Sequence, residues 1–215
     1  MHDAKIYGYT QPVIEDHPDM TPEEFMIYCA RVSNPESQEQ GDNPERLAEY
    51  LMKHAHWSPF EMASVTMKIV TTRAISRQII RHRSFSFQEF SGRYAEYTDD
   101  WYITEARLQD TKNRQNSFLA NDSDLQDWWL NNQFTIETRI RELYKEALHK
   151  GIAKEVARNI LPEGMLPTTL FMAGTVRSWK HYTDLRTANG TQSEHMMVAN
   201  SCKRELMKIY PTIFR

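Results

Sequence analysis

The chain has 215 residues, 40% of them hydrophobic, which fits one globular domain over residues 1–215. Its formal net charge of −3 at pH 7 argues against a protein that mainly coats nucleic acid, because such proteins are typically strongly basic. The only two cysteines, Cys29 and Cys202, exclude a disulfide framework and favour a reducing compartment, the cytoplasm. We expect no targeting segment and no membrane span, since no apolar run approaches about 18 residues.

Start signals predict two helices in the first quarter of the chain. Thr21-Pro22-Glu23-Glu24 combines a capping threonine, a first-turn proline and a capping-box glutamate, and Asn34-Pro35 ends the helix that follows. The apolar residues that this helix should bury, in some combination, are Phe25, Ile27, Tyr28 and Val32. Residues 36–42 are polar and predict a loop, after which Asn43-Pro44-Glu45 starts a second helix that ends near His54.

The middle of the chain contains the clearest strand. Between Met62 and Thr71 apolar and polar residues alternate, which is the period of a half-buried strand. Helical spacing returns from Ala74 to Arg83, and the aromatic-rich segment from Tyr97 to Ile103 predicts a second strand. Any further strands are expected in residues 1–15.

A long amphipathic helix is predicted from Leu125 to Lys150. Its apolar stripe consists of Ile136, Ile140, Leu143 and Ala147. The pair Trp128-Trp129 on the same helix is expected in the core or at a subunit interface rather than in a stacking platform.

Three further helices are predicted towards the C-terminus. The first covers Ile152 to Leu161, and its buried stripe should be Ile152, Val156 and Ile160. The second covers Ala173 to Leu185. The third opens at a second capping box, Thr191-Gln192-Ser193-Glu194, and closes at Pro211. Because helices outnumber strands, the sequence predicts an α+β domain.

A concentrated set of arginines and hydroxyl groups follows the predicted strand. Arg73, Arg77 and Arg81 are four residues apart on one helix, where like charges disfavour an isolated helix by a few tenths of a kcal/mol per pair. Residues 81–94 then bring together guanidinium groups, hydroxyls including Ser91, and a carboxylate, without a regular period. Guanidinium groups donate in a forked geometry that matches phosphate oxygens, so this segment resembles a phosphate-binding loop.

The alternative is a solvated basic helix end whose arginines pair with surface acids such as Glu89 and Glu96. The order of residue types argues against it. Arg81-His82-Arg83 is followed, after seven residues, by Ser91, inside the longer pattern Gln78-x-x-Arg-His-Arg-x₅-Glu-x-Ser-x-Arg-Tyr. This pattern is similar to the signature of the flavin-dependent thymidylate synthases, the ThyX family.

Other segments extend the resemblance. They are Tyr50 to Glu61, which contains His56-Trp57-Ser58-Pro59-Phe60-Glu61, Glu155 to Pro162, Arg177 to Tyr182, and Leu185-Arg186, and with the loop they cover roughly residues 49–194 in the family's order. The resemblance implies a ThyX-type α+β fold, with mixed helices around a small, mostly antiparallel sheet, in a homotetramer. It also implies reductive methylation of dUMP to dTMP, with 5,10-methylenetetrahydrofolate as carbon donor and NADPH-reduced FAD as hydride donor, without a cysteine nucleophile.

The resemblance also implies roles for individual residues. Those expected at dUMP are Gln78, Arg81, Glu89, Phe90, Ser91, Gly92, Arg93, Arg158 and Arg186. Those expected at FAD are Ser58, Arg81, His82, Arg83, Glu89, Thr175, Arg177 and His181, although some family members have Asn in place of Thr175 and His181. His56 is expected near the reacting centre. Arg186 is the expected catalytic residue, because the family places this cation against the uracil ring, where it stabilises negative charge and activates C5.

The sequence argues against several other kinds of site. The seven glycines form no G-x-G, so a Rossmann fingerprint and a P-loop are absent. Ser91 lacks the G-x-S-x-G elbow because Glu89 occupies the first glycine position. His54 and His56 with Glu61 suggest a metal site, but their spacing is poor on either a strand or a helix, and we predict no metal. Cys29 and Cys202 lie in apolar helical patterns and are interpreted as structural.

Two further functions stay open from sequence. In an RNA-binding module, the arginine-rich loop would grip phosphates while Phe85, Phe87, Phe90 and Tyr94 stack on bases, although the acidic balance disfavours it. A catalytically inactive relative is disfavoured because every charged residue of the motifs is present. We expect neither nucleic acid nor membrane as a partner.

Overall fold

The computed structural model describes residues 1–39, 43–97 and 101–215. The strands are β1 (Asp3–Tyr9), β2 (Ser64–Thr72), β3 (Ser86–Glu89), β4 (Arg107–Gln109), β5 (Ser117–Leu119) and β6 (Pro167–Thr175). The α-helices are α1 (Pro22–Ala30), α2 (Pro35–Glu39), α3 (Pro44–Lys53), α4 (Arg73–Ile79), α5 (Ser123–His149), α6 (Lys154–Ala157), α7 (Val176–Thr187), α8 (Ser193–Met207) and α9 (Pro211–Phe214). Two 3₁₀ turns cover Ser58–Glu61 and Arg158–Ile160. None of the helices in the described ranges is long and apolar enough to cross a membrane.

The main sheet has four antiparallel strands in the order β1-β2-β6-β3. Strand β2 confirms the predicted alternation, since Val65, Met67 and Ile69 are almost fully buried. It pairs with β6 along its whole length, from Ser64 opposite Thr175 to Thr72 opposite Pro167. The small antiparallel sheet confirms the predicted α+β class, and β4 with β5 forms a separate hairpin.

The principal core lies between the sheet and the helices that cover it. Trp179 and Tyr182 on α7 are almost completely buried, and the indole nitrogen of Trp179 donates to the carbonyl of Val65 at 3.0 Å. Helix α8 packs against β1, where the backbone nitrogen of Ala4 donates to Ser201 Oγ at 3.0 Å. These contacts fix α7 and α8 relative to the sheet.

Both cysteines belong to packed regions, as predicted. Cys202 is fully buried on α8, and burial raises the pKa of its thiol. Burial also raises the pKa of the half-buried Cys29 on α1. Neither sulfur has the depressed pKa that an activated nucleophile requires.

The helix start signals were partly correct. Thr21 forms the predicted capping box, with Glu24 N donating to Thr21 Oγ1 at 3.2 Å and Thr21 N donating to Glu24 Oε2 at 2.8 Å. In α1, Ile27 is buried but Val32, just beyond the helix, is exposed. The second capping box is absent, because the side chain of Glu194 instead accepts from Gln192 and Arg107.

Several segment predictions were wrong. Residues 35–39 form helix α2 rather than a loop, and residues 40–42 of that predicted loop lie outside the described ranges. The predicted strand at 97–103 is not found in its described part, because Tyr97 and Trp101 pack in a second core cluster. Its residues 98–100 are not described. Helix α4 ends at Ile79 rather than Arg83.

Strand β6 was missed, and its last residues were predicted as the start of a helix. The helix begins only at Val176, and Thr175 caps it by accepting from Ser178 N at 3.3 Å. In β6, Thr168, Leu170 and Met172 are buried and the residues between them are more exposed, but two of those, Phe171 and Ala173, are apolar, so the sequence lacks the polar alternation that reveals β2. Strand β3 was missed as well, because its four residues form a short edge strand that gains order only by pairing with β6.

The helix predicted from Ile152 to Leu161 was given the wrong buried face. Ile152, Val156 and Ile160 are exposed, whereas Ala157 and Leu161 are buried in the second core cluster. The reason is local geometry: α6 has a single turn and continues as a 3₁₀ turn, so a spacing of 3.6 residues does not persist.

Helix α5 occupies almost the predicted range, but it lies on the surface. Ile140 and Ala147 contact the second core cluster, while Ile136 and Leu143 are exposed. Trp128-Trp129 is also exposed, so its predicted place in the core is wrong and its place at a subunit interface stays a prediction.

A close approach between β6 and the arginine-rich loop yields a stability prediction. A Cβ added to Gly174 would lie 2.4 Å from the Phe85 ring, which packs on Trp179 with ring centroids 4.9 Å apart. Gly174→Ala should therefore lower the free energy of unfolding by about 1–3 kcal/mol. Gly164→Ala is the control, because nothing lies within 4 Å of its added Cβ, and it should change stability by less than about 1 kcal/mol. Equal urea midpoints for both variants would contradict this packing.

Candidate active site

Helix α4 starts the candidate site directly after β2. Thr72 caps it by accepting from Ile75 N at 3.4 Å, which fixes the direction in which the arginines follow. Arg73 Nη1 lies 3.5 Å from Glu89 Oε1, and Arg77 Nη2 lies 3.2 Å from Glu163 Oε1. The first two like charges of the helix are thus compensated by acids from β3 and from the loop before β6.

The next guanidinium groups along the chain are not compensated in this way. No hydrogen bond or ion pair to another described residue engages the side chains of Arg81, Arg83 or Arg158. Arg81 and Arg83 are exposed, and Arg158 is partly exposed. Three cations with unused forked donors can bind an anion such as a phosphate.

Arg158 lines a cavity of about 250 Å³ together with residues of α4. The other lining residues are Arg73, Arg77, Tyr97, Asn159, Leu161, Glu163 and Leu166. The motif around Arg158 and the motif on α4 are far apart in sequence, yet they share this cavity. Its three arginines outnumber its one carboxylate, which gives the cavity a positive balance.

Glu89 ties three elements together. Its Oε1 accepts from Ser76 Oγ at 2.6 Å and from Thr168 Oγ1 at 2.9 Å, in addition to its ion pair with Arg73. This carboxylate therefore joins β3 to α4 and β6. Its Oε2 makes no hydrogen bond within the described chain and is the oxygen left for a ligand.

The loop after β3 folds back on itself at Ser91. The Ser91 carbonyl accepts from Tyr94 N at 3.1 Å, and Ser91 Oγ accepts from Arg93 N at 3.4 Å. A Cβ on Gly92 would lie 2.4 Å from the Tyr97 ring, so this ring position requires glycine there. The loop is anchored to β6 by Phe90 N, which donates to the carbonyl of Thr169 at 2.9 Å.

The side chain of Arg93 points to an acid at the mouth of the loop. Arg93 Nε lies 3.4 Å from Glu155 Oε2, and both side chains are more than half exposed. An ion pair so exposed contributes little to stability, so Arg93 can exchange Glu155 for an anionic ligand at small cost.

Arg186 contacts the end of the arginine-rich helix. Its Nε donates to His82 Nε2 at 3.0 Å, across 104 residues of sequence. Burial and the neighbouring guanidinium of Arg186 lower the pKa of His82 to about 4. His82 is therefore neutral near pH 7 and can accept this hydrogen bond, while the Nη groups of Arg186 make no hydrogen bond within the described chain.

Gln78 is held from two sides. Its Oε1 lies 3.2 Å from His195 Nδ1, and its Nε2 donates to Gln192 Oε1 at 2.7 Å. His195 Nε2 in turn lies 3.2 Å from the hydroxyl of Tyr182, whose ring packs edge-on against His82. Sequence reasoning missed Tyr182, Gln192 and His195, because no local pattern distinguishes them from ordinary helix residues.

Four of the eight residues expected at FAD, Ser58, Thr175, Arg177 and His181, form a second group around the start of α7. Arg177 Nη1 lies 2.5 Å from Glu61 Oε1, and the His181 ring packs edge-on against Trp57 with centroids 4.6 Å apart. The Ser58–Glu61 turn therefore lies beside α7, and Ser58 is exposed there. The hydroxyl of Thr175 is already used in capping α7, which leaves it less available to a cofactor.

The remaining predictions concern the histidines after α3. The ring of His56 is exposed and contacts the rings of Tyr50 and His54, each at a centroid distance of 6.2 Å. Its expected place near the reacting centre stays a prediction. Within residues 1–39, 43–97 and 101–215, no three histidine, cysteine or acidic side chains form a group that could hold a metal ion.

Comparison with known proteins connects this geometry to a family. The family model described as thymidylate synthase complementing protein (Thy1) matches residues 16–212. A probable flavin-dependent thymidylate synthase of Paramecium bursaria Chlorella virus 1 is 49% identical over 98% of this chain and 96% of its own. A flavin-dependent thymidylate synthase of Synechocystis is 44% identical over 98% of this chain and 97% of its own.

A solved structure has the same fold. The UMP/dUMP methylase PolB from Streptomyces cacaoi, bound with 5-bromo-dUMP, superposes with a TM-score of 0.83 at 26% identity. The superposition covers 98% of this chain and 92% of that protein.

The neutral state of His82 predicts how stability depends on pH. An unfolded histidine has a pKa of about 6.5, so below that pH the unfolded chain binds a proton that folded His82 does not. The contribution of His82 to the free energy of unfolding is therefore complete above about pH 6.5, and it is lost as the pH falls towards 4. A histidine that stays neutral in the folded protein makes the free energy of unfolding rise with pH by up to about 1.4 kcal/mol per pH unit between these two pKa values.

The variant His82→Gln should lose its share of this slope, while above pH 7 its difference from wild type should be constant. Urea unfolding at a series of pH values between 4.5 and 8 measures both quantities. Parallel curves for the two proteins over the whole range would show that His82 is not held neutral.

Proposed function

This chain belongs to the flavin-dependent thymidylate synthase family, and we propose that it converts dUMP to dTMP at the site formed by α4, β3, α7 and the loop after α6. Reduced FAD supplies the hydride and 5,10-methylenetetrahydrofolate the carbon, with NADPH reducing the flavin. The observation that carries the proposal is the contact of Arg186 with a neutral His82.

The role of Arg186 follows from which of its nitrogens are occupied. His82 takes only Nε, which fixes the guanidinium plane and leaves the Nη donors for a ligand. A fixed cation beside a uracil ring stabilises negative charge on N3 and the adjacent carbonyl, which activates C5 as a nucleophile. A charged His82 could not accept from Arg186, so its low pKa keeps the contact intact at neutral pH.

The phosphate of dUMP is assigned to the uncompensated cations. Arg81 and Arg158 have unused donors, and Arg93 has only an exposed partner. The backbone of the Ser91–Gly92 loop, held to β6, adds neutral donors. Gln78, Glu89 and Phe90 complete the proposed dUMP contacts, with the free Oε2 of Glu89 as a candidate acceptor for a sugar hydroxyl.

The residues expected at FAD, from the arginines after α4 and from the second group, fit this cofactor through the chemistry of their donors. Arg81 and Arg83 carry charge that no described side chain neutralises, as an adjacent pyrophosphate requires. Ser58, His82, Arg177 and His181 would supply the remaining contacts, Thr175 less readily, and Glu89 is shared with the substrate. Both thiols have raised pKa values, which supports a mechanism without a cysteine nucleophile.

The RNA-binding alternative loses its stacking platform. Phe85 packs against Trp179 and Phe90 against Tyr97, with centroid distances of 4.9 and 5.2 Å, so these rings are engaged inside the protein. Phe87 also packs against the principal core, and of the four proposed rings Tyr94 alone is largely exposed.

We further propose a single enzymatic domain over residues 1–215 that assembles as a homotetramer in the cytoplasm. The family model spans most of this range, which supports a single domain. Exposed apolar side chains on α5 and after it support assembly: Trp128, Trp129, Phe134, Ile136, Leu143, Ile152, Val156 and Ile160. The two free cysteines support a reducing compartment.

The substitution Arg186→Ala tests the proposed function. It should lower the rate of dTMP formation from dUMP, methylenetetrahydrofolate and NADPH by about 100- to 1000-fold, because one fixed donor to developing charge is lost. Flavin absorbance of the purified protein should remain. Arg46→Ala removes an arginine exposed on α3 and should leave the rate unchanged. Full activity of Arg186→Ala would remove this role, and a colourless protein that makes no dTMP would overturn the enzyme assignment.

The substitution Val156→Glu tests the assembly. Light scattering of the wild type should give about four times the chain mass of 25.4 kDa. A charge placed in an apolar interface should shift the variant to smaller species. A monomeric wild type would contradict the tetramer without affecting the chemistry of the site.

A further inference from the structure

A chain of hydrogen bonds runs behind Gln78 from the protein interior to the surface. It joins Tyr182, His195, Gln78, Gln192, Glu194 and Arg107 through five successive contacts. Tyr182 and His195 are almost completely buried, whereas Gln78 is partly exposed and Gln192 exposed. Gln78 is the point at which this chain meets the proposed substrate site.

The charged end of this chain of hydrogen bonds, Glu194, sets which group donates and which accepts at each contact. Burial raises the pKa of Glu194, but hydrogen bonds from its own backbone, Gln192 and Arg107 together bring it below its ordinary value. Glu194 is therefore a carboxylate, which only accepts. Gln192 must donate to it through Nε2, at 2.9 Å, and so turns its Oε1 towards Gln78.

Each side chain that follows then has a single amide orientation or tautomer that satisfies its hydrogen bonds. Gln78 must donate its Nε2 to Gln192, which turns its Oε1 towards His195. His195 must carry its proton on Nδ1 to donate to that oxygen, and its Nε2 then accepts from the Tyr182 hydroxyl. Burial, Arg186 and His82 lower the pKa of His195 to about 3, so it stays neutral and able to accept.

We propose that His195 is a positioning residue, which together with Tyr182 and Glu194 fixes the side-chain amide of Gln78 in one orientation towards the nucleotide substrate. This inference rests on the proposed function of Gln78. A glutamine amide has a donor end and an acceptor end of nearly equal shape. Without the chain of hydrogen bonds, it could turn and present the wrong end to dUMP. With it, one Nε2 proton remains for the ligand in a fixed direction.

The substitution Glu194→Gln should exchange donor and acceptor at each hydrogen bond from Gln192 to Tyr182. Arg107 still requires an acceptor, so the introduced amide would keep its oxygen towards Arg107 and turn its nitrogen towards Gln192. Gln192 and Gln78 would then turn in sequence, and His195 would move its proton to Nε2. Spectra of the protein with ¹⁵N-labelled histidine report this tautomer, with the His195 signals assigned by their loss in His195→Asn. We expect Nδ1–H in the wild type and a shift towards Nε2–H in Glu194→Gln.

Substrate affinity tests the consequence at Gln78. Calorimetry of dUMP binding to the FAD-loaded protein should show a Kd about tenfold higher for Glu194→Gln and for His195→Leu, as expected for one misdirected hydrogen bond. His195→Asn keeps an N–H close to the position of Nδ1 and should stay within about threefold of wild type. Leu206→Ala, at a buried position near the other end of the same helix and outside the chain of hydrogen bonds, should lower stability and leave Kd unchanged.

The outcomes separate this inference from the proposed function. A wild-type His195 protonated on Nε2, or equal Kd values for the Leu and Asn variants at this position, would overturn the positioning role alone. If His195→Leu does not fold, Glu194→Gln decides, because an unchanged tautomer and Kd there overturn it as well. A wild-type protein that binds no dUMP would instead overturn the proposed function.

Discussion

The pairing of β2 with β6 is the constraint on which the rest of the molecule depends. The two strands are antiparallel over nine residue pairs, and each runs directly into a helix that begins at a capping threonine, Thr72 for α4 and Thr175 for α7. Because Thr72 lies opposite Pro167 and Thr175 opposite Ser64, the two helices start at opposite ends of the sheet. Their C-terminal ends nevertheless meet, because Arg186 in the last turn of α7 donates to His82, three residues after α4. A shift of register by one residue would turn the buried side chains of β2 outwards and separate this pair.

Charge compensation along α4 divides the arginines into two kinds. Arg73 and Arg77 have carboxylate partners in neighbouring elements, which offsets the repulsion between like charges one turn apart. Arg81 and Arg83 lie beyond the end of α4 and have no such partners among the described residues. The carboxylate of Glu89 on β3 pairs with Arg73 instead. The isolation of Arg81 and Arg83 fits a site in which the counter-charge arrives with a phosphate-bearing ligand.

Much of the fold could be predicted wherever the signal is local. The capping box at Thr21, the alternation in β2 and the extent of α5 each depend on residues within a few positions of one another. Strand β6 could not be recognised, because its order comes from partners on both sides that are distant in sequence, and β3 depends on β6 in turn. The stripe after α5 failed because a 3₁₀ turn replaces the assumed helical period. The candidate site was found through a family pattern, whereas His195 was not, since its partners Tyr182 and Gln78 are 13 and 117 residues away.

Two histidines, His82 and His195, stay neutral next to the fixed guanidinium of Arg186 and so determine the charge of the site. His195 is buried and His82 is partly buried, both beside Arg186, and each accepts a hydrogen bond that a charged imidazole could not accept. Their neutrality costs stability only below about pH 6.5, where the unfolded chain gains protons. At neutral pH it leaves Arg186 as the single positive charge among these three side chains. This fixed charge stabilises the anionic uracil that reacts at C5 more than it stabilises the neutral ring, and electrostatic catalysis depends on that difference.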